Sequence, residues 1–547
     1  MDLLTSCIRA DGEYAQLLAA VRAAFRDKPL PLLANGLCEG ATEAFMTSLI
    51  EDVCTKAAPD GGVSRTGRRR CALIVCPEEK DCVRLRQTLE RFGLRAAFYT
   101  PRDLSFYNVT ASHEYEHERM RVLSGLAAGT LDAVITTPDA ALSYTVPPDI
   151  LRAASVRLDF HTPVDPGTLA ERLVAAGYNR VDLVEGAGQF AVRGGIIDVF
   201  APFGTYIDDE GELHAGSYPL RVELFGDEID RMGLFDPETQ RMTCAVDEAE
   251  LLPSREVLTD AAGLERLAAA IAAQRKSARS DEARRTLAEE AAAVAAARAE
   301  QTPTGAGLHF LDRYIRLVYP EPACLLDYFP ERTLFLIRSN AAVQDRLRGG
   351  EKLLNEQVVS LCESGLLAGK YAEFARPAAA FERFLESNVT VHVDSLSYGM
   401  SGRRLGGIFG FRTRHMVSYA DNLRLLCEDV TRYREGGYRI AVIAENETAA
   451  RSLADLFADA GIPAAIPAPG SADTPDAMPR GTVLIHWRSY LFGYELMVPR
   501  IAILSTNPDS RTGSLSTSPA VLRSRKRAAD EARRRNTRTI LSFHDLE

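Results

Sequence analysis

Three short patterns in the sequence place reactive side chains at spacings that chemistry could use. His113-Glu114-Tyr115-Glu116-His117 sets two imidazoles four residues apart, with a glutamate beside the first. On a helix both rings share one face, the arrangement of a zinc hydrolase whose glutamate serves as base. No third ligand accompanies the pair and a solvated helix accounts for the same residues, so no metal is expected. The window Asn35-Gly36-Leu37-Cys38-Glu39-Gly40-Ala41-Thr42 joins an apolar strand pattern to a helical one. A phosphate-binding loop at such a turn needs glycines, a lysine for the β- and γ-phosphates and a hydroxyl for magnesium. Here Asn35 replaces the first glycine and Ala41 the lysine, only Gly40 and Thr42 fit, and Glu39 adds negative charge. The third pattern is Arg180, Arg193, Arg221 and Glu223, charged residues set in a strongly apolar, β-rich stretch. In a strand, Arg221 and Glu223 share a face that Phe225 continues. Such a face reads either as a mixed polar and aromatic interface or as a solvated surface with an ion pair worth about 0–1 kcal/mol.

The elements that would hold these residues follow from hydrophobic periodicity. Pro31–Gly36 is an apolar strand entering a turn, with a helix from about Ala41. CALIVC (71–76) and LDAVIT (131–136) are short apolar runs of the kind buried in parallel sheets, and Glu79–Phe92 between them has helical spacing and stops at Gly93. Strand, helix, strand in this order predicts a parallel α/β sheet with crossover helices. A helix over Gly167–Ala176 precedes shorter strands, FAVRGGIIDVF and YPLRVELF, turned at Gly194-Gly195 and Gly226-Asp227. The acidic insert 207–217 reads as a hairpin loop. Beyond Leu258 an Ala-, Arg- and Glu-rich stretch predicts long helix broken near Ser277–Asp281. A further α/β unit follows, with helices over Asn422–Arg434 and from Glu447 and strands at 439–444, 482–486 and 500–505, and the arginine-rich tail 523–538 reads as a solvated helix or linker.

A chain of 547 residues is long enough for about three to five domains. Its 46% hydrophobic and 25% charged composition is that of folded globular protein. The net charge of −11 argues against a protein that coats nucleic acid, because phosphate neutralisation supplies most non-specific affinity. The ten cysteines form no CxxC or zinc-type spacing, which suits reduced buried thiols. No apolar run reaches membrane-spanning length, so a cytoplasmic protein with no membrane partner is expected.

The stretch GYNRVDLVEGAGQFAVRGGIIDVFAPFGTY and the later YPLRVELFGDEI resemble the domain shared by the bacterial excinuclease component UvrB and the transcription-repair coupling factor family. Both use that domain to meet the excinuclease component UvrA. RDLSFYNVTASHEYEHER (102–119), the unit around Tyr438–Ile462 and TILSFHDLE (539–547) extend the resemblance to the N-terminal half of the coupling factors. It implies an α/β multidomain chain: a degenerate helicase-like parallel α/β domain (1–155 and 256–400), an inserted β-rich docking domain (156–255), a small α/β domain (401–522) and a basic linker (523–547). It also implies that Arg180, Arg193, Arg221 and Glu223, with Phe200, form the surface that binds UvrA. Ala191 departs from the pattern, standing where UvrB has another arginine. LLDYFPERTLFLIRSN (325–340) resembles the UvrB segment that carries an acidic metal-binding pair, but Arg338 and Ser339 occupy those positions. A guanidinium cannot hold magnesium. With Asn35 and Ala41 also degenerate, no ATP, magnesium or catalysis is expected of this chain, whose role would be to recruit the excinuclease through UvrA in transcription-coupled nucleotide excision repair. ATP, magnesium, RNA polymerase and DNA would belong to polymerase-interacting and translocase domains beyond residue 547. The alternative is a helicase-like ATPase acting on damaged DNA, as in UvrB.

Overall fold

The computed structural model describes residues 3–27, 29–55, 58, 61–63, 69–102, 114–299, 308–330, 332–394, 404–467, 478–487 and 493–507. His113, residues 468–477 and the tail 523–538 lie outside them. The chain divides into two compact units: Gly12–Leu37 with Phe45–Phe411, and Met1–Asp11 with Cys38–Ala44 and Arg412–Glu547.

The larger unit holds a seven-stranded sheet in the order Gly407–Gly410, Leu32–Asn35, Val389–Asp394, Leu334–Arg338, Ala72–Val75, Ala133–Thr136, Ala96–Tyr99, with every neighbouring pair parallel. Its central strands are buried throughout, which is why they read as continuous apolar runs and not as alternating ones. Helices Ala41–Cys54, Glu79–Arg91, Glu114–Ala128 and Asn340–Ser364 provide connections between these strands. The alanine-rich stretch forms two helices, Ala261–Ser277 and Asp281–Arg298, the second started by Ser280, whose Oγ accepts the Ala283 N–H at 3.0 Å. Leu264, Leu267, Ile271, Leu287 and Val294 from this pair join the same apolar core as Leu73, Val75 and Val134 of the sheet.

Between Val156 and Leu251 the same unit carries a second sheet, ordered Val156–Asp159, Met242–Leu251, Glu228–Phe235, Leu213–Phe225, Ile196–Asp208, Gln189–Arg193, Asn179–Arg180. All pairs are antiparallel except the last. Met242–Leu251 also pairs with Ile196–Asp208, so four long strands close into a ring. The acidic insert is therefore mostly strand: Ile196–Asp208 and Leu213–Phe225 run on to a tight turn at 209–212.

The smaller unit is a six-stranded sheet, Thr413–Met416, Gly493–Leu496, Ile501–Ser505, Arg439–Ala444, Val483–Trp487, Ala464–Ala465, its last four strands parallel. Its helices Leu423–Glu435 and Glu447–Asp459 start at Asn422 and Asn446, whose side chains accept the N–H of Leu425 at 3.0 Å and Ala449 at 2.9 Å. The ten cysteines are free thiols, and burial pushes those of Cys7 and Cys324 up to about 12. No helix among the described residues is long and apolar enough to cross a membrane.

Candidate docking face

Alternation, interrupted by register shifts such as that between Glu223 and Leu224, gives the second sheet two unlike faces. Phe190, Ile197, Val199, Leu220, Val222 and Met232 point one way and pack with Leu169 and Leu173 of helix Pro166–Ala175 into a buried core. The opposite face carries Ala191 and Arg193, then Asp198 and Phe200, then Arg221, Glu223 and Phe225 on the next strand. Register aligns them: Asp198 lies opposite both Ala191 and Arg221, and Ile196 opposite both Arg193 and Glu223. The turn at Gly194-Gly195 makes this possible. Gly194 sits at φ +63°, and a Cβ on Gly195 would lie 2.7 Å from the Leu224 carbonyl oxygen. On this face Val184, Ala191 and Phe235 form a small buried cluster against which Val181 and Phe200 pack.

The charges on this face converge on Asp198, which is fully buried. It accepts Arg221 Nε at 2.6 Å and Nη2 at 2.9 Å, and Arg193 Nη2 besides. Arg221 also donates to the Gln240 carbonyl at 2.8 Å and lies over the Phe235 ring at 5.1 Å. The bond to Asp198 shifts the Arg221 guanidinium further toward its charged form. The Arg221 side chain is 13% exposed and that of Arg193 43%, so the first is anchored and the second is presented. Two guanidinia on one carboxylate leave a net positive charge. Glu223 is half-buried and faces Arg231 across the next strand pair. Phe200 is half-buried, and Ala191 is a buried member of the cluster, so the residue at that position packs inside the face and is not presented on it. Arg180 is exposed and stands apart on the outermost strand, opposite Phe190. Of the five expected contacts, Arg193 and Arg221 share one carboxylate, Glu223 and Phe200 flank them, and Arg180 does not join them. Asp198 was not anticipated. An acid inside the apolar run IIDVF signals a buried partner, but only the register identifies it.

A second group of buried charges fixes the base of the docking sheet. Glu256, just past its last strand, accepts Arg119 Nε at 3.0 Å and Nη2 at 2.9 Å and lies 2.8 Å from Arg102 Nη2. Arg102 reaches Asp312 at 3.1 Å, and Arg119 lies over the Tyr99 ring at 4.1 Å. Glu116 accepts Arg255 Nε at 2.9 Å and the Glu256 N–H at 2.6 Å. Within the HEYEH pattern, Glu116 thus ties the docking sheet to helix Glu114–Ala128. Among the described residues a possible metal-ligand group occurs elsewhere, at the tip of the long hairpin. There Asp208, Glu212 and His214 place one ligand atom each within 4.8 Å. Asp208 already accepts His214 Nε2 at 2.6 Å and the Glu212 N–H at 2.8 Å, which hold its carboxyl below the usual range.

The degenerate loop is occupied by the protein itself. The Asn35 carbonyl accepts the Phe411 N–H at 2.9 Å, and a Cβ on Gly36 (φ +76°) would lie 2.1 Å from the Phe411 carbonyl oxygen. The Gly40 N–H is taken by the Glu43 carboxylate at 2.6 Å, and the Thr42 hydroxyl by the Cys38 carbonyl at 3.0 Å. Ala41 is buried. In the acidic-pair segment, Arg338 ends its strand and Ser339 sits at φ +57°. The next helix start, at Asn340, donates its N–H to Asp394 at 3.0 Å. Burial pushes the Asp394 carboxyl up to about 6.

Residues 156–256 match the family profile of the UvrB interaction domain. A transcription-repair-coupling factor of Bacillus subtilis is 25% identical over 410 residues, 72% of this chain and 32% of that protein. Its counterpart in Staphylococcus epidermidis is 22% identical over 405 residues, again 72% and 32%. That of Myxococcus xanthus is 37% identical over 142 residues, 26% of this chain and 11% of its own. The chain therefore spans about a third of the length of the curated relatives it matches. A match to the UvrB interaction domain set between parallel α/β parts, with similarity over 72% of the chain, makes the chain similar to the N-terminal part of transcription-repair-coupling factors.

Proposed function

We propose that this chain is the docking part of a transcription-repair coupling factor and recruits the excinuclease component UvrA, without catalysis of its own. The observation that carries this is the pair Arg193 and Arg221 on the buried carboxylate of Asp198, inside the segment matching the UvrB interaction domain. A charged guanidinium held rigidly beside aromatic surface is the composition of an interface hot spot. Arg193 would make direct contact, while Arg221 would fix the shape of the surface. Phe200 and Glu223 would extend it, while Arg180, paired with Phe190, lies on the other face of the sheet.

The absence of catalysis is supported by the two helix starts. At the first, the Gly40 N–H that would face a phosphate is taken by Glu43, and a second anion there would meet like charge; at the second, the Asn340 N–H is taken by Asp394. Ala41, Arg338 and Ser339 supply neither the lysine nor the acids that ATP and magnesium require. Contacts with RNA polymerase and DNA rest on the resemblance and would be made by other domains. The test is calorimetric titration of the full chain with purified UvrA, in parallel with ATP–magnesium. Binding of the first, weakened at least tenfold by Arg193→Ala, with no heat from the second, is expected. No binding of UvrA, or DNA-stimulated ATP hydrolysis, would overturn the proposal.

A further inference from the structure

Phe225 is the most exposed large apolar side chain among the described residues, at 83%. It shares the docking face with Arg221 and Glu223 and stands at the tip of the hairpin joining Leu213–Phe225 to Glu228–Phe235, where it pairs with Glu228. That tip is fastened on both sides. The Leu224 N–H donates to the Gly195 carbonyl at 2.7 Å, tying it to the turn that carries Arg193, and the Asp227 carbonyl accepts the Val164 N–H at 2.7 Å. Phe225 is thus held in water by a braced turn, outside the small cluster that Val184, Ala191 and Phe235 form on the same face. A rigid aromatic already in position loses little conformational freedom on binding, which is the property of an anchor. The charge beside it is equally defined: Asp198 neutralises one of its two guanidinia, and Glu223 stands opposite Arg231 in the strand register.

We propose that Phe225 is the apolar anchor of the docking face, and that the partner surface it enters is an apolar pocket with a carboxylate at its rim for Arg193. This rests on the reading of the face as the contact for UvrA. The experiment titrates that protein against the full-length wild-type chain, Phe225→Ala, Phe225→Leu and Arg193→Gln at several salt concentrations. Removing an exposed ring leaves the fold intact, which an unchanged melting temperature verifies. Phe225→Ala should raise Kd about 10- to 100-fold, with Phe225→Leu recovering much of the loss. Arg193→Gln should flatten the salt dependence of Kd, because the screened ion pair is gone. Wild-type binding with an unaltered Phe225→Ala overturns the anchor and leaves the docking assignment standing. A salt dependence unchanged by Arg193→Gln overturns the rim carboxylate. A wild-type chain that does not bind overturns the docking assignment itself.

Discussion

Asp198→Asn tests whether one buried carboxylate organises the docking face. The substitution keeps the side chain's size but removes its charge and turns one acceptor into a donor. The bidentate contact with Arg221, at 2.6 and 2.9 Å, then loses one bond and sets N–H against N–H. Breaking a fully buried ion pair by removing one partner costs about 3–5 kcal/mol. The guanidinia are 13% and 43% exposed and recover part of their hydration, so about 2–3 kcal/mol is the expected loss. The chain has several cores and need not unfold in one step, so a global melting curve is the wrong readout. Native-state hydrogen exchange reads the local opening directly. Amides of Gln189–Arg193 and Ile196–Asp208 should exchange about 30- to 150-fold faster, while those of Leu334–Arg338 in the other sheet are unchanged. Affinity for UvrA should fall along with that protection. Exchange altered by less than about twofold would refute the role of Asp198, since no relaxation leaves two such guanidinia equally held.

Glu256→Gln removes the carboxylate shared by Arg102 and Arg119 and should cost about 3–5 kcal/mol, read as earlier urea unfolding and faster protease cleavage around residues 250–260. Burial alone would raise the Glu256 carboxyl, but Arg102 and Arg119 outweigh it and leave it lowered. Its stabilisation is therefore present above the unfolded value of about 4.3 and lost as pH falls through the folded one, a dependence that Glu256→Gln should abolish. Asp394 has the opposite sign: with its carboxyl pushed up to about 6 by burial, the folded state holds the proton longer, and stability falls as pH rises from about 4 to about 6. Asp394→Asn should stabilise the chain by about 1–3 kcal/mol at pH 8, and the gain should vanish below about pH 4 in urea titrations. A pH-independent difference would show that its carboxyl titrates normally.

The parallel sheet was legible because its strands are buried on both faces. CALIVC and LDAVIT in that sheet, like RIAVIA (439–444) in the smaller unit, are short, mostly apolar runs. Gly407–Gly410 was not visible, since Ile408 and Phe409 stand alone between two glycines and are too short a run to signal a strand, which pairing with Leu32–Asn35 makes of them. In the docking sheet, alternation and the Gly-Gly turn were readable, but the acids of the insert hid the length of the hairpin. Arg193 and Arg221 were singled out by type and by resemblance. Their common partner was not, because a contact between residues 23 apart in sequence depends on a register that no local pattern states. Glu116 shows the same limit. The HEYEH pattern reads as a solvated helix, while the partner of Glu116, Arg255, lies 139 residues away.

The two buried charge groups differ in a way that separates architecture from recognition. At the base of the docking sheet three arginines, Arg102, Arg119 and Arg255, meet three carboxylates, Glu116, Glu256 and Asp312, and the charges balance. A balanced buried cluster needs nothing from outside and serves to hold one part of the fold against another. Around Asp198 on the docking face the count is uneven: one carboxylate, sealed from water, meets two arginines, one of them almost half exposed. Water can satisfy the outer guanidinium in the free protein, so the fold does not suffer. A partner carboxylate that displaces that water meets a charge already oriented by Asp198 and pairs with it in a drier setting, where the ion pair is stronger. The surplus charge beside an exposed phenylalanine is therefore best explained as one half of an interface, and the Arg193 and Phe225 variants measure its two components separately.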